Sequence, residues 1–126
     1  MRGEYFIITN NPLVMEKLAD GHNVIYLDVS YEEVLLEVRN RIHQGAQLLS
    51  HPLSGSVKPG ETPYKSVLVS KTKGKTDIES LEIIEKAIET CRKFPIRWKD
   101  FKDEVIEDFK LVDYTLISSA VDSADA

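Results

Sequence analysis

Short apolar runs rich in β-forming residues alternate along the chain with segments whose apolar residues recur at helical spacing. Four of these runs are bounded by turn residues and predict strands: Tyr5–Thr9, residues 23–28, residues 46–50 and residues 64–70. The third run contains the fewest apolar residues of the four, and a long link separates it from the fourth. The pattern therefore predicts a sheet with helices between its strands.

Two helices are predicted in the first half of the chain. Asn11, directly ahead of a proline, is a suitable N-cap for a short helix over residues 13–19. Ser30 and Glu33 have the spacing of a capping box, and Gly45 is placed to end that helix in a left-handed conformation. The second helix has one apolar face, formed by Tyr31, Val34, Leu35, Val38 and Ile42.

Further helices are predicted in the second half. Thr76 and Glu79 form a second capping-box pattern, and Pro95 stops the helix that follows. Residues 99–121 are predicted to be helical, with Asp113 as a break between two helices. The helix after Thr76 has an apolar stripe of Leu81, Ile84, Ala87, Ile88 and Cys91.

The order of these elements predicts an α/β fold. We expect a small three-layer sandwich, with a mainly parallel four-stranded sheet and helices on both faces. The link between the third and fourth strands shows no helical period, which favours an antiparallel fourth strand. One domain is predicted over residues 1–121, followed by a frayed tail over residues 122–126.

Composition narrows the class of protein. The 126 residues are 42% hydrophobic and 29% charged, which is typical of a globular domain. No apolar run approaches the roughly 20 residues of a membrane span, and the N-terminal run is interpreted as a strand instead of a signal peptide. The single cysteine, Cys91, excludes an internal disulfide, so a cytoplasmic location is predicted.

Charge is distributed unevenly. The chain has a formal net charge of -5, which argues against nucleic-acid binding. Residues 51–75, in contrast, contain five lysines and one acidic residue, Glu61, which gives that segment +4. The lysines either protect an exposed sheet edge from pairing with another chain or form a surface that binds an anion.

The loop over residues 51–66 is the strongest functional candidate. It contains three prolines and two glycines together with hydroxyl groups and lysines, a composition typical of an ordered loop. In α/β sheets, ligands bind beyond the carboxyl ends of the strands, where the first and third predicted strands each end in polar residues. The predicted anion-binding residues are Thr9, Asn10, Asn11, His51, Ser54, Gly55, Ser56, Lys58, Thr62, Tyr64 and Lys65. Alternatively, the prolines stiffen the loop for stability alone.

Known catalytic and metal motifs are not found. The frame G-x-x-x-x-G-K-T begins at Gly55, but Glu61 replaces the lysine that should neutralise phosphate, and Pro63 follows where a helix should begin. The three histidines lack a second ligand at a suitable spacing, so neither a metal site nor a cofactor is predicted. His51 is a weak catalytic candidate, and its alternative role is to pin the loop backbone.

Several stretches resemble the GrdX protein family. They are residues 8–14 (ITNNPLV), 48–59 (LLSHPLSGSVKP), 62–66 (TPYKS) and 81–88 (LEIIEKAI), and the similarity extends to about residue 121. Proteins of this family are encoded beside the selenoprotein-containing glycine, sarcosine and betaine reductases of anaerobic bacteria. The resemblance implies an accessory role in that pathway and supplies no assigned catalytic residues.

Two functions follow as hypotheses. The first is an accessory protein that meets reductase subunits, or a small anion, through the loop over residues 51–66. The alternative is a small enzyme or ligand-binding domain for a phosphorylated or carboxylated metabolite. A homodimer is also predicted, through the apolar region over residues 98–116, unless the two C-terminal helices close on a core of their own.

Overall fold

The computed structural model describes residues 4–53, 61–95 and 101–126. These residues form an α/β fold with three strands and four helices. The strands are β1 (Tyr5–Thr9), β2 (Val24–Tyr26) and β3 (Ser66–Ser70). The helices are α1 (Pro12–Leu18), α2 (Tyr31–His43), α3 (Ile78–Lys93) and α4 (Asp103–Asp125).

The sheet is mixed and has the order β2-β1-β3. β1 lies in the centre, where it pairs in parallel with β2 and antiparallel with β3. Ile7 is opposite Val24 on one side and Leu68 on the other. The predicted antiparallel direction of the last strand is therefore confirmed.

The predicted strand over residues 46–50 is wrong, and with it the mainly parallel four-stranded sheet. This segment lies beside β3 but forms a single antiparallel bridge, Leu48 with Val69. The ladder stops there because the N–H of Leu68 donates to the hydroxyl of Ser50, at 2.9 Å, and not to a backbone carbonyl. The side chain of Ser50 thus takes the place of the next backbone acceptor in the ladder.

Helices cover both faces of the sheet. Ile8, Val67 and Val69 point to one face and pack with the buried residues of α2 and α3. Ile7 and Leu68 point to the other face and pack with α1 and α4. Alternation of side chains along a strand produces these two separate cores.

The predicted starts of α1 and α2 are confirmed. Asn11 caps α1, where its side chain accepts from the backbone N–H of Leu13. Ser30 and Glu33 form a complete capping box at α2, and all five predicted apolar residues of that helix are buried. Gly45 follows α2 with a φ of 111°, a conformation that favours glycine.

The start of α3 differs from the prediction by one residue. Its N-cap is Asp77, whose carboxylate accepts from the N–H of Ser80 at 3.1 Å. Thr76 instead donates to the carbonyl of His43, at 3.3 Å, and so joins α3 to the end of α2. The Thr76–Glu79 capping box is therefore wrong, while Cys91 is buried on the stripe as expected.

Helix α4 is continuous over 23 residues, so the predicted break at Asp113 is wrong. Residues 122–125, which were predicted to belong to a frayed tail, are part of this helix. The carboxylate of Asp125 accepts from the hydroxyl of Tyr5 at 2.8 Å and lies 3.3 Å from Nε2 of His22. No helix within the described residues is long and apolar enough to cross a membrane.

Candidate functional site

The carboxyl end of β1 leads into a buried polar network centred on Asn11 and Asp113. Asn11 is completely buried. Its Oδ1 accepts from the N–H of Leu13 at 3.0 Å, and its Nδ2 donates to the carbonyl of Lys110 at 2.9 Å and to Oδ2 of Asp113 at 3.0 Å. One side chain thus caps α1 and also fastens that helix to α4.

A chain of hydroxyl groups reaches the same carboxylate from the sheet. Ser66 donates from its hydroxyl to Oδ2 of Asp113 at 2.7 Å, and Oγ1 of Thr9 lies 2.6 Å from Oγ of Ser66. Thr9 already accepts from the N–H of Asn11, at 2.9 Å. Because a hydroxyl has a single proton to donate, Thr9 donates to Ser66 and Ser66 donates to Asp113.

Asn10 has a structural role. Its Nδ2 donates to the carbonyls of Val29 and Pro63, at 3.0 and 2.9 Å, and its Oδ1 accepts from the N–H of Lys65 at 2.8 Å. This side chain therefore joins the residue after β1 to the segment that leads into β3. Its hydrogen-bonding groups are all used within the protein.

Beside this network lies a small polar pocket. Its volume is about 10 Å³, close to the space that one water molecule needs. Lys65 is only 7% exposed, and its ammonium lies 5.8 Å from the ring centroid of Tyr31. Among the described residues, that ammonium has no hydrogen bond and no ion pair. The pocket is lined by Tyr31, Thr62, Tyr64, Lys65, Val112, Asp113 and Leu116.

Burial moves the ionisable groups of this pocket toward their neutral forms. Desolvation lowers the pKa of Lys65, although the nearby carboxylate of Asp113 opposes that shift. Desolvation likewise raises the pKa of Asp113, against the hydrogen bonds from Ser66 and Asn11 and the charge of Lys65. The pKa of Tyr31 is raised by burial too. The pocket thus combines an amine, a carboxyl group and a phenol, each of which burial drives toward its neutral form.

A much larger groove lies along the other side of Leu116. Its volume is about 990 Å³, and it runs between α4, the segment over residues 49–51 and the end of β3. His51 lines this groove, and its Nδ1 accepts from the N–H of Leu53 at 3.0 Å. The groove residues of α4 are Leu116, Ser119, Ala120, Ser123 and Ala124.

The structure therefore divides the predicted site residues. Thr9 and Asn11 belong to the network around Asp113, and Asn10 connects it to the segment before β3. The pocket contains Thr62, Tyr64 and Lys65, whereas His51 lies in the groove, where it pins the loop backbone. Ser54, Gly55, Ser56 and Lys58 lie outside the described residues.

Sequence reasoning missed Asp113, Ser66 and Tyr31. Asp113 had a detectable signal, since Asp113, Ile117 and Val121 are the buried residues of α4 and recur every four residues. An aspartate on a buried stripe needs partners. In the described part of the chain, including this network, no group of three or more His, Cys, Asp and Glu residues could hold a metal ion.

Comparison with known families agrees with the residue pattern. A family model described as GrdX-like protein matches residues 6–122. The chain belongs to the GrdX-like protein family. Membership confirms the resemblance seen in the sequence and suggests association with the glycine reductase system. Comparison with curated proteins and with solved structures finds no match.

Proposed function

We propose that this GrdX-like chain is an accessory protein that binds a component of the glycine reductase system through the groove along α4. Family membership supports the association with the glycine reductase system, and the groove supports the proposal that the chain acts by binding a protein. A groove of about 990 Å³ is much larger than the chain needs for its own packing. His51, the first residue of the loop that the sequence singled out, lines it.

Two apolar side chains on opposite sides of this groove are exposed, among polar lining residues such as His51 and Thr72. Leu49 is 47% exposed on one wall and Leu116 is 36% exposed on the other. Val112 extends the same stripe of α4 and is 41% exposed. Contiguous apolar surface of this kind is typical of a protein interface, because burial against a partner removes it from water.

A second candidate function is a ligand-binding domain for a carboxylated or phosphorylated metabolite. The observation that favours it is Lys65, a residue only 7% exposed that lines the pocket and whose ammonium has no hydrogen bond among the described residues. One oxygen atom of a carboxylate or phosphate is about as large as water, so such a group could meet the ammonium there.

Binding to purified reductase components tests the accessory function. Leu49→Glu places a charge in the groove, so we expect it to weaken binding at least about tenfold, or about 1.4 kcal/mol. Leu111→Glu is the matched control, because Leu111 is 56% exposed and does not line the groove. Biolayer interferometry with immobilised chain measures both, after circular dichroism has shown that both variants fold.

Three other outcomes separate the hypotheses. If no component binds the wild-type chain, or if both variants bind equally well, the accessory proposal is wrong. Calorimetric binding of acetate, phosphate or acetyl phosphate at millimolar concentration, lost in Lys65→Met, would favour the ligand-binding function. Sedimentation of the wild-type chain shows whether the groove is covered by a second copy, as in the predicted homodimer.

A further inference from the structure

The amine of Lys65 is set apart from an ordinary surface lysine by its surroundings. Lysine side chains normally keep the ammonium in water, but Lys65 is 7% exposed and points into the pocket beside Asp113. We propose that Lys65 is a reactive amine that forms an imine with small aldehydes, with Asp113 as the proton donor. This inference is independent of the reductase association.

The geometry leaves the nitrogen of Lys65 available. Among the described residues Nζ forms no hydrogen bond or ion pair, and it lies over the Tyr31 ring, 5.8 Å from the centroid. An unpaired ammonium in such a place is unfavourable, whereas a neutral amine is tolerated. Desolvation lowers the pKa of Lys65 accordingly, and desolvated lysines are the ones that act as nucleophiles toward carbonyl groups.

Asp113 is placed to supply an acid. Its Oδ2 accepts from Ser66 and Asn11, at 2.7 and 3.0 Å, so these bonds hold the carboxyl group in one orientation. Asp113 also lines the same pocket as Lys65. Burial raises the pKa of Asp113, which favours the protonated form that can donate.

The size of the pocket limits the substrate. The space of about 10 Å³ accepts a carbonyl oxygen but not a large substituent. Val112 and Leu116 line the pocket and are 41% and 36% exposed, so they form its outer edge. We therefore expect aldehydes of one or two carbons to react and bulky aldehydes to be excluded.

The reaction is balanced within the pocket. The lone pair of the neutral amine forms a bond to the carbonyl carbon, and a proton moves from nitrogen to the carbonyl oxygen to give a carbinolamine. The C–O bond then breaks, and the hydroxyl group leaves as water with the proton of Asp113. The products are a protonated imine on Lys65, a carboxylate on Asp113 and one water molecule.

Reductive trapping tests the proposal on the wild-type protein. The chain is incubated near pH 7 with acetaldehyde and cyanoborohydride, which reduces the imine to an N-ethyl lysine, and peptide mass spectrometry measures the rate at each lysine. Lys71 is the internal control, because its ammonium also lies over an aromatic ring, 4.9 Å from the centroid of Phe6, but the residue is only half-buried. Because desolvation lowers the pKa of Lys65, more of its amine is unprotonated at this pH than in an ordinary lysine, so we expect Lys65 to react several-fold faster than Lys71.

Slower or equal reaction at Lys65 overturns the proposal. That result is expected if Lys65 stays protonated and a water molecule bridges it to the carboxylate of Asp113. Asp113→Asn provides the second readout. Trapping at Lys65 should slow, because an asparagine cannot supply the proton, while trapping at Lys71 stays unchanged. The wild-type comparison remains decisive if that variant does not fold.

Discussion

Replacing Asn11 by alanine tests whether the network around Asp113 stabilises the fold. The substitution removes the N-cap of α1, an interaction worth about 1 kcal/mol. It also removes the donor that lies 3.0 Å from the carboxylate of Asp113, and a hydrogen bond to a charged group contributes about 1.5–3 kcal/mol. Losing the cap and this buried hydrogen bond together should lower the free energy of unfolding by about 2–4 kcal/mol.

Ser30→Ala is the matched control for Asn11→Ala. Ser30 caps α2 in the same way, but it is exposed and its partner Glu33 belongs to the same helix. We expect this variant to lose only about 1 kcal/mol. Urea unfolding followed by circular dichroism at neutral pH measures both variants. If Asn11→Ala costs no more than Ser30→Ala, the buried partners of Asn11 contribute nothing and the reasoning about the network fails.

Two further predictions concern a glycine and a titration. Gly45→Ala should cost roughly 3 kcal/mol, because an added Cβ would come within 2.8 Å of Cα of Lys73 at a φ of 111°; Gly21→Ala has a similar φ of 100° but open space around it, so thermal unfolding should show a loss of only about 1–2 kcal/mol. The folded pKa of Asp113 is raised above its ordinary value of 3.8, so its contribution to stability is fully present below that value and is lost as the pH rises through the folded pKa. Asp113→Asn should remove this dependence, and urea unfolding from pH 3 to pH 8 would contradict the assignment if wild type and variant kept a constant difference.

Local signals were sufficient to predict most helix ends and the helix faces. The cap at Asn11 and the capping box at Ser30 depend on residues three positions apart or fewer, so the sequence contains the whole interaction. The central strand and the direction of the last strand were also predicted from features that lie close together in the sequence. An apolar run and the length of a connection are both visible along the chain.

The errors arose where a distant residue determines the structure. Asp113 was interpreted as a break between two helices, yet it lies within α4 and its partners Asn11 and Ser66 are 102 and 47 residues away. Similarly, the strand expected over residues 46–50 ends because a serine hydroxyl bonds to β3. The pocket at Lys65 was only partly anticipated, since Thr62, Tyr64 and Lys65 were predicted as site residues but Tyr31 and Asp113 were not.

The position of Asp113 in the last helix also has a consequence for the order of folding. Asn11, at the start of α1, and Ser66, on β3, lack their shared acceptor Asp113 until α4 has packed on the sheet. Docking of α4 is therefore expected to be a late event, and contacts of such large sequence separation slow folding. During synthesis, roughly the first four fifths of the chain, which precede α4 at Asp103, would stay in an open, aggregation-prone form until the final helix has been made.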